Sequence, residues 1–359
     1  SRSMTEYLRV TPDSVRVYVD SNPTRSSRGG FAVGGVASRN NEKYFDVTPH
    51  LTPETINPSE PRMLWYPSKE AFRVGKVLIA DPDSVGTNSI ATGFESKAIG
   101  DWSQAFGYQS RALGDYSTAI GYKANARENH SFAVGDSAQA LGADSFALGF
   151  GARAEGRGSF AFGSVPRDSL GNIIPGFSPV NSIGDYSLTF GLGSTATGIA
   201  SMAMGMNTES HGFSSFSAGL QTVADGSGAV ALGRSTEAAG YGSTALGIGS
   251  EAAEYGTVAA GSGCHATGYA STAIGRNANA LGDGSTALGA FTYARGNNSF
   301  AAGNYSQANE DGAIAIGEYC LSDAFHAFSA GRNCDALGQA SIAMGSYSEA
   351  LNEYSIAMG

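Results

Sequence analysis

Three cysteines and five histidines are the residues of this 359-residue chain whose chemistry is typical of redox, metal or catalytic sites. The histidines follow no metal-ligand spacing, and the chain contains no P-loop, zinc signature or nucleophile elbow. Each cysteine lies eleven residues before a glycine that recurs every fourteen residues, where other repeats place serine, alanine or threonine. We therefore expect free, buried thiols at Cys264, Cys320 and Cys334, and we expect no cofactor, no metal site and no enzymatic activity.

Charged side chains are a second candidate group, because their sign changes along the chain. Four basic residues, which we call the basic collar, lie in the first five repeats: Lys97, Arg111, Arg127 and Arg153. Later repeats carry acidic residues on the same face, with only Arg295 opposed: Glu209, Asp225, Glu237, Glu251, Asp323, Asp335 and Glu349. The collar predicts a surface that meets an acidic partner, such as an extracellular matrix protein or a glycan. The alternative is a solvated face that keeps the protein soluble, and the net charge of −10 argues against nucleic-acid binding.

The recurring glycine determines which elements carry these side chains. It occupies nineteen of the twenty positions spaced by fourteen residues from Gly93 to Gly359, and only Phe177 interrupts the series. Serine lies four residues before this repeat glycine in fifteen of nineteen repeats, and alanine lies two residues before it in sixteen. A second glycine lies seven residues before it in fourteen repeats. Such a short, fixed period predicts a solenoid in which each turn contacts only its neighbours.

Alternation of small and larger residues predicts two strands in each repeat. The small residues of both strands would face one another inside a thin coil, and the polar outward face of the second strand would meet water. The opposite face of the first strand, here called the large-residue face, carries bulky apolar side chains one residue before the repeat glycine. These are Phe106, Ile120, Val134, Leu148, Phe162, Phe190, Met204, Leu232, Leu246, Ile274, Leu288, Ile316, Met344 and Met358. Where this position shrinks to alanine, as at Ala218, a bulky neighbour such as Phe216 compensates in volume, which indicates packing.

No segment with helical periodicity is available to cover the large-residue face. Nineteen turns spaced by about 4.8 Å would make this apolar face roughly 90 Å long. Exposed apolar surface of that extent marks an interface. We therefore expect an obligate homo-oligomer of parallel chains in register, with the fourteen residues above at the interface.

Several repeats carry a family resemblance: Asn88–Gly93, Asn298–Gly303 and Ser341–Gly345 resemble the head repeats of trimeric autotransporter adhesins, the YadA-like family. The resemblance covers about residues 84–359 and implies a left-handed parallel β-roll, a homotrimer, and a role in cell adhesion and virulence on a Gram-negative bacterium. Asparagine precedes the serine only at Asn88 and Asn298, although the adhesin repeat favours it.

The resemblance implies an extracellular adhesin head that binds host or environmental surfaces through the outer faces of the β-roll. A non-binding shaft or spacer of a surface or phage-tail fibre is the alternative. The sequence contains no recognisable export signal or membrane anchor. We expect outer-membrane anchoring through a C-terminal region that is not in this chain, so contact with the membrane would be made only by segments outside it.

All eleven prolines lie outside the regular repeats, because proline cannot donate a hydrogen bond to a parallel ladder. Eight of them fall by Pro82, which predicts a β-rich N-terminal adaptor over residues 1–83 and a head-repeat β-roll over 84–359. Ser182–Gly191 realigns with Ala112–Gly121. We therefore expect a fourteen-residue insertion in a turn, within about 164–181, with a small hairpin around Leu170.

Overall fold

The computed structural model describes residues 8–11, 14–17, 62–66, 69–76, 79, 82–165, 167–175 and 178–359. The fold is an all-β parallel solenoid of about twenty turns with a repeat of about fourteen residues, as the sequence predicts. It forms two compact units, Ser1–Ala154 and Glu155–Gly359. No helix in the described part of the chain has the length and apolar character that a membrane span requires.

The first unit begins, within the described residues, with two antiparallel pairs. These are β1 (Leu8–Thr11) with β2 (Ser14–Val17), and β3 (Arg62–Tyr66) with β4 (Ala71–Lys76). The longer solenoid strands that follow are β5 (Ile90–Phe94), β7 (Gln104–Tyr108), β9 (Thr118–Tyr122), β11 (Phe132–Val134) and β13 (Phe146–Leu148). They alternate with two-residue strands, β6 (Lys97–Ala98), β8 (Arg111–Ala112), β10 (Asn125–Ala126), β12 (Gln139–Ala140) and β14 (Arg153–Ala154). Each pairs in parallel with the strand of its own kind one turn away, so equivalent residues line up.

The second unit is built from the same two kinds of strand. Its longer strands are β15 (Phe160–Ser164), β17 (Leu188–Leu192), β19 (Met202–Met206), β21 (Phe216–Leu220), β23 (Val230–Arg234), β25 (Thr244–Ile248), β27 (Val258–Ser262), β29 (Thr272–Arg276), β31 (Thr286–Ala290), β33 (Phe300–Asn304), β35 (Ile314–Glu318), β37 (Phe328–Arg332), β39 (Ile342–Ser346) and β41 (Ile356–Met358). Its two-residue strands are β16 (Asn181–Ser182), β18 (Thr195–Ala196), β20 (Glu209–Ser210), β22 (Val223–Ala224), β24 (Glu237–Ala238), β26 (Glu251–Ala252), β28 (His265–Ala266), β30 (Asn279–Ala280), β32 (Tyr293–Ala294), β34 (Gln307–Ala308), β36 (Leu321–Ser322), β38 (Asp335–Ala336) and β40 (Glu349–Ala350).

Small side chains fill the interior of each unit. Ala147 in the first unit and Ala245 in the second, both two residues before a repeat glycine, are completely buried. The three cysteine thiols are free and buried, as predicted. Cys264 Sγ lies 3.2 Å from the carbonyl oxygen of Gly275, to which it donates. Burial, together with the neighbouring Cys334, raises the pKa of the Cys320 thiol. These cysteines therefore act as small interior residues.

Arginine occupies the interior at the first described turn of the solenoid. Arg73 on β4 pairs with Ala91 on β5, so its side chain stands where later turns place alanine, and it is 2% exposed. Its guanidinium donates to the carbonyl oxygens of Ser89 (2.8 Å) and Ala98 (2.9 Å) and to the Ser89 hydroxyl (2.7 Å). Burial lowers the pKa of Arg73 to about 10. Arg73 therefore satisfies interior carbonyl groups at this end of the coil.

Two residues in most turns adopt the left-handed conformation. One lies five residues before the repeat glycine, such as Asn88 (φ 53°) and Asn298 (φ 54°), and the other lies two residues after it. Asparagine and glycine tolerate this region best. The asparagine favoured by adhesin repeats therefore has a conformational role here. Tyr116 and Ala200 occupy the same position in other turns and adopt the left-handed conformation at a greater cost in backbone strain. In several turns the following serine adds a hydrogen bond, as when the Ser145 hydroxyl donates to the carbonyl oxygen of Gly142 at 2.6 Å. In other described turns, such as that of Ser117, the buried hydroxyl has no hydrogen-bond partner.

The repeat glycine is fixed by two independent constraints. At Gly233 the φ angle is +131°, and a Cβ atom there would lie 1.9 Å from the carbonyl oxygen of Gly247 in the next turn. The second glycine of the repeat, such as Gly226, has the same steric conflict with Gly240 but no positive φ. The backbone can shift to relieve a steric conflict more readily than it can change its φ region. This difference explains why the second glycine is replaced in several repeats whereas the repeat glycine is nearly invariant.

The insertion predicted within about residues 164–181 interrupts the fourteen-residue spacing of the sequence. Gly163 pairs directly with Gly191, so the described residues between β15 and β16 leave the ladder without disturbing its register. Arg167 and Ile173 form an antiparallel bridge, and the Asp168 carboxylate accepts the N–H groups of Leu170 (2.9 Å) and Asn172 (2.8 Å). These hydrogen bonds lower the pKa of Asp168. The segment therefore contains a tight hairpin; Phe177 itself lies outside the described residues, as does most of the expected adaptor over 1–83.

Candidate binding surfaces

The large-residue face of each unit is open in the single chain. In the first unit Ile120 is 37% exposed, and its neighbours Val134 and Leu148 on the paired strands are half-buried. In the second unit Phe190 is 46% exposed, and its ring lies 4.9 Å from that of Phe162. The strand register brings the predicted residues of each unit into one continuous apolar line.

The remaining predicted interface residues follow the same pattern. Phe106, Met204, Leu232, Leu246 and Leu288 are half-buried, whereas Ile274, Ile316, Met344 and Met358 are exposed. Equivalent residues pair directly between turns, for example Leu232 with Leu246. Their shared direction follows from the period of two along each strand. Each residue lies opposite its counterpart one turn away and remains partly exposed.

Three of the four basic collar residues share one column on the first unit. Lys97 pairs with Arg111, and the column continues through Asn125 and Gln139 to Arg153. Arg127 lies two residues beyond Asn125 and does not belong to the column. Its Nε atom is 3.9 Å from Oε1 of Glu128, and both side chains are more than half exposed. The structure therefore separates Arg127 from the other collar residues.

The equivalent column of the second unit is acidic. It contains Glu209, Glu237, Glu251, Asp335 and Glu349, whereas Asp225 and Asp323 lie one residue beyond the ends of strands β22 and β36. Glu237 is directly opposite Glu251, and Asp335 is directly opposite Glu349. Burial and the Glu349 carboxylate raise the pKa of Asp335. Like charges on paired residues destabilise a sheet, so these carboxylate pairs lower the stability of the fold.

Lowering the pH is expected to remove this repulsion. Asp335 has a higher pKa in the folded than in the unfolded chain. Above the folded pKa, the ionised carboxylate therefore lowers the free energy of unfolding. Below the ordinary pKa of about 3.9, the carboxyl is protonated in both states and has no such effect. Asp335→Asn should therefore be more stable than the wild type at pH 7, by a few tenths of a kcal/mol after solvent screening. The gain should vanish as the pH falls towards 4. Thermal melts of both proteins between pH 4 and 8 would measure it, with Glu353→Gln as a control that should show no such gain at pH 7.

Two histidines contact the acidic column. His211 lies between two carboxylates, with Nε2 3.3 Å from Glu209 Oε2 and Nδ1 3.0 Å from Asp225 Oδ1. His265 Nδ1 lies 3.1 Å from Glu251 Oε2. Within the described residues, no three His, Cys, Asp or Glu side chains are grouped so that they could hold a metal ion. The contacts of His211 with Asp225 and of His265 with Glu251 link adjacent turns, whereas Glu209 lies in the same turn as His211.

Aromatic columns on the turns, and at the last residue of three of the longer strands, are a feature that the sequence did not predict. In the first unit the rings of Trp102, Tyr116 and His130 stack at 5.0 and 5.2 Å. Further columns contain Phe94, Tyr108 and Tyr122 in the first unit, and Tyr241, Tyr255 and Tyr269, then Phe291, Tyr305 and Tyr319, in the second. A search for aromatic residues at fourteen-residue spacing outside the two strand faces would have found them. Because each ring covers its neighbour, these columns present mainly ring edges to solvent.

Carboxylate and amide ladders also link successive turns. The side chains of Asp101, Asp115 and Asn129 each accept the backbone N–H of the equivalent residue one turn earlier, at 2.7 to 3.0 Å. Asp283, Asn297 and Asp311 repeat this ladder in the second unit. In the sequence, these ladders are marked by aspartate or asparagine six residues before the repeat glycine. Exposed acidic residues on these turns thus have a structural role, which distinguishes them from the charged columns.

A shallow groove of about 280 Å³ lies beside the insertion in the second unit. Its lining residues are Ser178, Gly193, Asn207, Glu209, Gln221 and Val223. The lining is largely polar and open to solvent. The larger outer surfaces of the described chain are the flat columns.

Comparison with known protein families identifies the repeat of this solenoid. The family model of the YadA head domain repeat matches residues 103–124, 112–138, 128–152, 140–164, 182–208, 266–292, 294–317 and 336–359. The chain carries YadA head domain repeats. The resemblance seen in the sequence is therefore confirmed. No curated protein shows a significant match to the chain.

YadA heads are surface-exposed parts of outer-membrane adhesins, and their family is generally non-enzymatic. No enzyme family is evident for the chain. The family also implies a homotrimer. Between the matched stretches, as at β23 and β25, the strands keep the register of the YadA repeats. The matched turns and the turns between them thus share one fold.

Proposed function

We propose that this chain is the head of a trimeric extracellular adhesin. Three chains would lie parallel and in register as left-handed β-rolls, with the large-residue face of each lining the common axis. The observation that carries this proposal is the open apolar line on each unit of a solenoid built of YadA head repeats. Burial of apolar surface of this kind is the main driving force of protein association.

The outer faces of the head would bind host or environmental surfaces. The head would stand on the surface of a bacterium, as YadA heads do. The basic collar is the candidate contact for an acidic ligand, because Lys97 and Arg111 project from the outward strands of the first unit. Charged columns of this kind raise association rates and select partners by charge.

Reversal of the collar tests this function. The double variant Lys97→Glu, Arg111→Glu is expected to lose at least about tenfold in affinity for acidic matrix proteins or glycans immobilised on a surface, because it exchanges two attractive charges for repulsive ones. Arg157→Glu with Arg234→Glu makes the same change of charge in the second unit and should leave binding unchanged. Retention of wild-type affinity by the collar variant would exclude the collar as the contact. A wild-type trimer that binds no surface in such a panel would instead indicate a structural shaft.

A further inference from the structure

The collar column is a straight row of side chains on the first unit. Lys97, Arg111, Asn125, Gln139 and Arg153 occupy equivalent positions on five successive two-residue strands. With strands spaced by about 4.8 Å, the row is about 19 Å long. It contains three cations and two amides, and no carboxylate interrupts it. The row therefore presents positive charge and hydrogen-bond donors along one line.

The positive charge at one end of the row is not used within the chain. Lys97 and Arg111 are directly opposite one another, an arrangement that destabilises a sheet. In the part of the chain that the structure describes, neither side chain forms an ion pair, whereas Arg127, outside the row, lies beside Glu128. An external anion would thus remove a repulsion that the fold itself leaves in place.

The shape of the row selects among acidic ligands. Strands of only two residues leave no depth for a pocket at this surface, so a ligand must gain affinity from many shallow contacts. A linear polymer with anionic groups repeating along its length can follow a straight row and contact several of its cations at once. The amides of Asn125 and Gln139 can donate to hydroxyl or sulfate oxygens between the cations.

We propose that the collar column binds a linear sulfated polysaccharide that lies along the row. This inference rests on the proposed adhesin function and names the ligand class of the same surface. The equivalent column of the second unit repels such a polymer, because it carries Glu209, Glu237, Glu251, Asp335 and Glu349. Binding is therefore confined to the first unit, and it depends strongly on salt because ion pairing releases counterions.

Heparin is the probe for this proposal, used with the full chain in its oligomeric state. Titrations at increasing NaCl concentration should give a linear fall of log K with log salt concentration. The double variant Lys97→Ala, Arg111→Ala should bind heparin at least about tenfold more weakly at low salt and should reduce the slope by about 2 per site, one for each cation removed. The matched control Arg157→Ala, Arg234→Ala removes the same charge elsewhere and should keep the wild-type slope.

A second variant separates the amides from the cations. Asn125→Ala with Gln139→Ala should weaken heparin binding a few-fold without a change in slope, because amides release no counterions. The oligomer mass and melting temperature of every variant should match those of the wild type. Desulfated heparin should bind much more weakly, and polyglutamate should bind less well than heparin of equal charge.

Three outcomes would overturn the inference: unchanged heparin affinity in Lys97→Ala, Arg111→Ala, equal binding of desulfated heparin, or stronger binding of polyglutamate. Polyglutamate preference would indicate an acidic protein as the partner. If heparin does not bind while the head still adheres to matrix proteins, the polysaccharide is excluded and the adhesin function stands. If nothing adheres, the proposed function fails as well.

Discussion

Gly233→Ala is expected to destabilise the second unit by at least about 3 kcal/mol per chain, since both backbone strain and steric overlap oppose it. The φ angle at this position is +131°, and the new Cβ atom would lie 1.9 Å from the carbonyl oxygen of Gly247. The next turn cannot move away, because its strand β25 pairs with β23 on one side and with β27 on the other. The loss should appear as a lower melting temperature in circular dichroism and as early amide exchange in the neighbouring turns.

Two glycines of the same turns provide graded controls. Gly228 has a φ of +67° with nothing within 4 Å of its added Cβ, so Gly228→Ala should cost only about 1 kcal/mol. Gly226 combines a similar overlap with an ordinary φ, so Gly226→Ala should fall between the two. Equal melting temperatures for Gly233→Ala and Gly228→Ala would contradict the assignment of the repeat glycine to a closed interior contact.

Leu246→Glu is expected to dissociate the proposed trimer. Leu246 lies in the middle of the open apolar line of the second unit, between Leu232 and Ala260 on the adjacent strands. Three carboxylates brought together at an apolar axis would repel one another and lose their hydration, at a cost of several kcal/mol. Light scattering should show a mass near that of one 36.7 kDa chain instead of three.

Asn279→Glu is the matched control for this change. It places the same new carboxylate on the outward face of a two-residue strand, beside His265 and Tyr293, and should leave the trimer intact. A wild-type mass of one chain in dilute buffer would reject the trimer altogether. A trimeric Leu246→Glu protein would place the interface elsewhere than on the large-residue face.

Much of the fold was predictable because each repeat has the same pattern of small and larger residues. Alanine two residues before the repeat glycine marks an interior position in every turn, and one substitution such as Ser217 does not obscure it. The bulky residues at positions such as Ile120 and Phe190 follow from the period of two along the strand. Repetition therefore gave the strand faces, the parallel pairing and the register.

Features that depend on contacts between particular turns were not predictable in this way. Arg73 resembles an ordinary strand residue in the sequence, and only the fold places it inside the coil, close to the carbonyl groups of Ser89 and Ala98. Trp102 and Tyr116 lie on turns whose side-chain directions depend on a left-handed backbone conformation. No period of two or 3.6 describes those directions.

The candidate binding surface shows the same division. Charge counting along the sequence found Lys97, Arg111, Arg127 and Arg153, but it treated the four as equivalent. The structure places three of them in one column. Arg127 lies beside Glu128 instead, because strand β10 ends at Ala126 and the chain turns there. It also adds Asn125 and Gln139, which charge counting ignores.

The sequence by itself determined the solenoid class, the fourteen-residue turn and the contrast between small and large faces, because these properties depend only on local periodicity repeated many times. The tertiary structure decided which residues meet across turns: the carbonyl that excludes a Cβ at Gly233, the carboxylate opposite Asp335 and the row that begins at Lys97. Those contacts join residues fourteen positions apart. Their geometry exists only once the coil has closed and one turn lies against the next.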